Sequence, residues 1–383
     1  MRLGLVAACA LVSLTSAAVP ARAEGDEDDG SALQVHAFVS QGAAVTTDNN
    51  YLTSTERGSF ELTEAGINFS KALNDRLRVG IQLFTRDLGP IGNYTARVDW
   101  AFLDYRWKDW LGLRAGRVKL PFGLYNDSSD IDAAHPVVLL PQSIYPATNR
   151  EALLAQTGAE LYGFKPLGTR GALEYRLFAG TIHVDLDETT MTQIDRLEIP
   201  YVVGGRVMWE TPVEGLRLGG SAIAARLESD LRLPTEVAPI TLALGIRMWI
   251  ASLEYVTGPI TFATEYSRWT SRLETNDPRF PRRHTTDTRA YWLAAYRFSP
   301  LVQAAGYYSI YYPDLDNREG RESRLHDAAA TLRFDLNPHW LLKIEGHALR
   351  GTATLNPALN DNMAPGGLAN RWWLLVAKTT VYF

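Results

Sequence analysis

Between Lys119 and Arg150 the chain carries no Lys or Arg, and its charged groups and histidine there are Asp127, Asp130, Asp132 and His135. The preceding stretch is the reverse. Arg76, Arg78, Arg86, Arg97, Arg106, Arg114, Arg117 and Lys119 accumulate on it, and further arginines follow at Arg176, Arg206 and Arg247. Facing one another across a narrow aqueous gap, an acidic segment and a basic wall create a transverse field. Such a field favours polar, hydrated solutes and needs no specific binding site. The competing arrangement is an acidic loop lying outside in solvent, with the arginines paired to cross-strand carboxylates such as Glu64, Asp99, Asp104, Glu174, Glu210 and Glu254.

Other chemistry is thinly provided. His36, His135, His183, His284, His326, His339 and His347 show no metal-ligand spacing. His326-Asp327 could form a base pair for a hydrolase, but no partner serine can be named from order alone. The glycine runs lack the strand–loop–helix setting of a phosphate cradle. The single cysteine, Cys9, lies near the N-terminus, and the formal charge is −5, with no basic excess for nucleic acid. We therefore expect no catalytic residues, no cofactor, no metal and no enzyme.

The elements that must hold the acidic segment and the basic stretch follow a period of two. In 76–83 polar Arg76, Arg78 and Gln82 alternate with Leu77, Val79, Ile81 and Leu83, and 342–348 alternates Leu342, Ile344 and Ala348 with Lys343, Glu345 and His347. This alternation predicts strands with one polar and one apolar face. The expected strands are 33–45, 58–71, 76–87, 94–107, 111–119, 154–165, 171–183 and 200–211. Then come 214–229, 243–257, 259–273, 287–298, 301–313, 322–335, 339–352 and 370–383. Many exceed the five or six residues usual in globular strands and match the length of a tilted membrane-crossing strand. Connections after even-numbered strands are tight, as at 72–75, 108–110 and 299–300. Those after odd-numbered strands are mostly long, the longest being 120–153. Short turns at one end and long loops at the other are the pattern of a transmembrane antiparallel β-barrel of about sixteen strands with periplasmic termini. Trp100, Trp107, Trp110, Tyr307, Tyr308, Tyr311 and Tyr312 are expected in aromatic girdles.

The ends agree with this class. Residues 1–23 read as a secretory signal peptide, with Arg2 before an apolar run and Ala21-Arg22-Ala23 at the cleavage site. Residues 24–32 read as an acidic periplasmic tail, followed by a barrel domain over 33–383. Alternate apolar residues lead to a terminal Tyr382-Phe383, which resembles the signal read by barrel-assembly machinery.

The segments 33–42, 58–84 and 104–127 resemble Gram-negative outer-membrane porins, in the broad group that includes phosphate-selective porins. Gly116, Arg117, Lys119, Pro121, Phe122 and Gly123 carry the family pattern of a strand leading into the third extracellular loop. The resemblance implies a sixteen-stranded channel, commonly a homotrimer, with that loop folded into the pore. Pro121, Phe122, Gly123, Asp127, Asp130, Asp132 and His135 would then form the constriction. The basic stretch from Arg76 to Lys119 would form the pore wall. The expected function is a passive outer-membrane channel for small hydrophilic solutes or ions, with outer-membrane lipid as its surroundings. The alternatives are a non-conducting structural or adhesion barrel and a phosphate-selective channel. The last is disfavoured because the loop lacks cations to hold a compact anion.

Overall fold

The computed structural model describes residues 32–183, 193–232, 239–279, 282–360 and 367–383. The expected signal peptide and all but the last residue of the acidic tail lie outside the described residues. Sixteen strands form one closed antiparallel barrel. They are β1 (Gln34–Thr46), β2 (Thr63–Asn74), β3 (Leu77–Asp87), β4 (Arg97–Lys108), β5 (Leu111–Lys119), β6 (Ala155–Pro166), β7 (Ala172–His183) and β8 (Gln193–Glu210). The second half comprises β9 (Leu216–Arg232), β10 (Ile240–Thr257), β11 (Ile260–Thr275), β12 (Arg283–Arg297), β13 (Val302–Tyr312), β14 (Leu325–Asn337), β15 (Trp340–Gly351) and β16 (Arg371–Tyr382).

Each strand pairs with its sequence neighbours, and β1 closes on β16 from Phe38↔Tyr382 to Thr46↔Leu374. The tight turns gather at one end of the barrel and the long loops at the other. Sequence alternation anticipates every strand. The main departure is β8, which starts at Gln193 rather than near 200. Pro200 lacks a ladder donor and reads as a strand break. Here it sits inside the register shift between Glu198 and Tyr201, so the strand continues through it.

Alternate side chains face out. Val39, Leu83, Leu103, Leu113, Leu161, Leu177, Val203, Leu332, Ile344 and Leu375 are all exposed on the outer surface. Water would leave this belt as an apolar patch far larger than soluble proteins carry, and hydrocarbon removes that cost. No helix among the described residues is long and apolar enough to cross a membrane. Trp107 and Trp110 lie exposed near the turn end, their rings 5.8 Å apart. Three of the aromatics expected in girdles face the lumen instead. Trp100 stacks on Phe102, Tyr307 donates to Asp327 at 3.1 Å, and Tyr311 lies beneath Arg289. Neighbouring residues of a strand take opposite faces, so Tyr307-Tyr308 and Tyr311-Tyr312 cannot share a girdle. The same rule separates His326 from Asp327. His326 meets Tyr308 and Tyr312 outside, whereas Asp327 meets His347 inside, so the two do not form a base pair. Arg247 is likewise exposed, between inward-facing Ile246 and Met248 neighbours of its strand.

The chain end takes part in the seam. Phe383 and Ala37 exchange backbone hydrogen bonds of 3.0 and 3.1 Å. Deleting Phe383 should lower the stability of detergent-refolded barrel by about 1–3 kcal/mol, from two lost bonds. Urea titration of tryptophan fluorescence measures this. If the terminus is also an assembly signal, the yield of folded barrel in cells should fall much further than the yield of refolding in vitro.

Candidate functional site

The longest connection leaves β5 at Lys119 and turns into the barrel. Leu120 and Phe122 are buried, and Phe122 meets Trp269 of β11 edge-on at 5.9 Å. Gly123 has φ +60, and a Cβ there would stand 2.4 Å from the Tyr145 hydroxyl. Only glycine combines that backbone with that approach. The Gly123 amide donates to Ser221 of β9 at 3.0 Å, and its carbonyl accepts from Arg206 of β8 at 3.1 Å. Within four residues of β5 the chain has left its own strand and bonds to β8 and β9, three and four strands further round the barrel.

From there the loop is fastened to strands around the lumen. The Leu124 amide donates to Glu265 of β11 at 2.9 Å, and the Tyr145 hydroxyl donates to the same carboxylate. The amides of Val138 and Leu139 both donate to Glu345 of β15, at 2.7 and 2.9 Å. Ser143 accepts from Ser309 of β13, and its carbonyl accepts from Arg289 of β12. Arg333 of β14 donates to the carbonyls of Ala133 and His135. The loop ends in a single helical turn, α1 (Arg150–Leu153), whose Arg150 makes two 2.8 Å bonds to Asp99 of β4.

Each of the loop's three aspartates meets cations of the wall directly. Arg176 Nη1 lies 2.8 Å from both Asp127 oxygens, and Arg206 lies 2.8 Å from one of them. Asp130 accepts from Lys119 and from Gln82, each at 2.6 Å. Asp132 accepts from Lys343 at 3.0 Å and Thr380 at 2.8 Å, with Lys378 at 3.4 Å. Burial raises all three carboxyls, but the facing cations outweigh it and hold each below the ordinary aspartate range. His135 hydrogen-bonds the Ser128 carbonyl at 2.7 Å, and burial pushes its pKa down to about 4. It is a neutral imidazole at pH 7.

Of the cations named from the sequence, five meet this segment: Lys119, Arg86, Arg97, Arg176 and Arg206. Arg86 donates to the Ala147 carbonyl and reaches Glu151 at 3.4 Å, and Arg97 lies 3.7 Å from Glu151. Arg114 instead pairs with wall residues Asp104 and Glu160, and Arg117 donates to the Asp99 carbonyl. Arg78 lies over Phe102, and Arg106 lines a cleft at the turn end. Arg76 sits in the β2–β3 turn, where its carbonyl accepts from Arg106. Lys343 and Lys378 were missed as partners of Asp132. Both occupy polar positions of alternating strands, but alternation does not say which strand lies opposite the loop.

The lumen wall is partly apolar. Phe178, Ile182, Val202, Ile223 and Ile250 pack with the loop's Leu120, Phe122 and Ile144. On the side of β1 to β3 a cavity of about 110 Å³ remains beside the loop, bordered by Glu64, Arg86, Asp132, His135, Arg150 and Lys378. Arg86 Nε and His135 Nδ1 are buried there without a protein partner, and the space admits several waters. Among the described residues no cluster could hold a metal ion.

A closed sixteen-stranded barrel with one loop folded into its lumen is the architecture of membrane barrels of the porin type. Solved structures share it over almost the whole chain at low identity. An anion-selective porin from Comamonas acidovorans is 12% identical, with a TM-score of 0.58 over 92% of this chain and 99% of its own. OmpF of Salmonella typhi, in complex with daunomycin, is 12% identical, with a TM-score of 0.61 over 94% and 99%. The outer-membrane channel DcaP of Acinetobacter baumannii is 12% identical, with a TM-score of 0.57 over 94% and 100%. No protein-family model and no curated protein sequence matches the chain.

The loop clamp should respond to acid in two stages. His135 protonates more readily when released, so its contribution is complete above pH 6.5 and declines as pH falls toward 4, by about 3 kcal/mol in all. The aspartates contribute above their unfolded pKa near 3.8, and their share is lost only below it. Hydrogen exchange of the loop amides, corrected for its intrinsic pH dependence, should therefore accelerate between pH 6.5 and 4 in the native chain, and His135→Gln should flatten that window. Asp132→Asn leaves Lys343 and Lys378 short of a buried partner and should loosen the clamp by about 3–5 kcal/mol at pH 7. The same assay would show it as faster exchange.

Proposed function

We propose that the chain is an outer-membrane porin, a passive water-filled channel for small hydrophilic solutes or ions. It would be exported by its signal peptide, inserted by barrel-assembly machinery and surrounded by outer-membrane lipid, with a homotrimer as its assembly. The observation that carries this reading is the loop drawn across the lumen and held by ion pairs to the wall. A barrel that only displays adhesive loops has no need to span its own interior. The solute path would run past the cavity beside β1 to β3, where Glu64 and Asp132 face Arg86, Arg150 and Lys378. That setting favours polar solutes of either sign, consistent with a general channel rather than a phosphate-selective one.

One observation favours a second reading, a non-conducting barrel. Lys343, Glu345 and Tyr291 on the wall are wholly buried beneath the loop, so that part of the lumen is filled. Planar-bilayer recording separates the two. Discrete conductance steps from folded protein support the channel, and their absence supports the plugged barrel. In a conducting barrel, Asp127→Asn, Asp130→Asn and Asp132→Asn together should shift the reversal potential toward anions, because Arg176, Arg206, Lys119, Lys343 and Lys378 lose their counter-charge. An unchanged reversal potential would remove these carboxylates from the conduction path.

A further inference from the structure

On the outer surface, at the loop end, Arg350 of β15 stands directly opposite Arg371 of β16. Both are exposed, and among the described residues neither has an ion-pair partner. Like charges directly opposed across strands are destabilising. His326 of β14 lies opposite Arg350 on the next strand, so three basic side chains share one row. The row sits at the rim of the apolar belt, where Arg350 is the last residue but one of its strand and Arg371 is the first.

The rows toward mid-barrel have a different character. Trp373, Ala348, Ala328, Tyr308 and Trp292 follow one another across β16 to β12. Trp373 forms one bank, and Tyr308 stacked on Trp292 forms the other, their rings 6.4 Å apart. Between the banks two alanines leave the backbone bare. The groove continues through Gly346, Ala330 and Gly306, which pair in register one row further in. At its head a cleft of about 380 Å³ is lined by Tyr308, His326, Arg350, Arg371 and Trp373, within the size range of small-molecule sites.

We propose that this is a binding site for one phosphorylated membrane lipid. The two guanidiniums take the phosphate, as their planar forks suit its oxygens. Trp373 and Tyr308 sit at headgroup level, as such rings do at a membrane interface. The groove of small residues takes the first part of an acyl chain against the barrel. Charge at the rim joined to a narrow apolar channel toward the bilayer centre matches a lipid and not a free anion. The bound phosphate would also remove the repulsion between Arg350 and Arg371.

The proposal rests on the reading of the barrel as a membrane protein. Flotation of refolded barrel with vesicles tests that reading separately, and only barrel that floats is used to test the site. Such barrel is extracted from vesicles of phosphatidylcholine with a tenth of phosphatidylglycerol and washed in detergent, and bound lipid is counted by native mass spectrometry. The native chain should retain one phospholipid. Arg350→Gln with Arg371→Gln should reduce retention about tenfold or more, while the heat-modifiable band on gels reports that the barrel is folded. Ala348→Trp keeps both arginines, fills the groove and should also reduce retention. Equal retention by the arginine variant would overturn the proposal. So would displacement of the lipid by millimolar inorganic phosphate, which would make the site one for the free anion. Retention unaffected by Ala348→Trp would overturn the acyl groove.

Discussion

Hydrocarbon offers no partner to a backbone amide or carbonyl, and the rest of this molecule follows from that deficit. A sheet surrounded by lipid must pair its last strand with its first. Here β16 meets β1 over nine residue pairs. Closure at sixteen strands fixes a lumen too wide for wall side chains to fill. The interior must then hold water or more chain. This protein uses a loop from its own third long connection, and the character of the inner wall follows from that choice. Where the loop lies, the wall is apolar or carries a matched charge, and where it does not, exposed Arg78, Arg106 and Arg217 project into the turn-end mouth.

The loop is held by two kinds of force, distributed differently. Apolar burial fixes its depth, through Leu120, Phe122, Val137 and Ile144 against β7 to β13. Burial alone is non-directional and would tolerate sliding. Position around the axis is set by charge and by backbone bonds, since Asp127, Asp130 and Asp132 find cations on three different sectors of the wall. Glu265 and Glu345 work in the opposite sense, as wall carboxylates that gather loop amides. Among the described residues each of these buried carboxylates has a cation or hydrogen-bond donors as partners, which is the condition for tolerating it in a low-dielectric interior.

Much of this was legible in the sequence, for a definite reason. A strand with lipid on one side and polar groups on the other writes a strict period of two, and the sixteen segments could be read from it. The Pro-Phe-Gly break and the cation-free stretch marked the loop. Azimuth was not legible. Lys343 and Lys378 lie more than two hundred residues beyond Asp132, and nothing local to them records that closure brings them beneath it. The facing of single residues was fragile too. One bulge moves a side chain from lipid to lumen, as the register shift beside Trp100 does, and Tyr307 faces the lumen because its neighbour Tyr308 faces out.

Asp132 adds a consequence for the order of assembly. Its hydroxyl partner, Thr380, and one of its lysines, Lys378, belong to β16, the strand that also forms the seam with β1. The acidic loop is the fifth strand's exit, made early in the chain, yet its latch is built from the final strand. Until that strand is seated Asp132 lacks Thr380 and Lys378, whereas Asp127 and Asp130 have their cations on β5, β7 and β8. The last fastening of the loop and the seam of the ring thus share one strand.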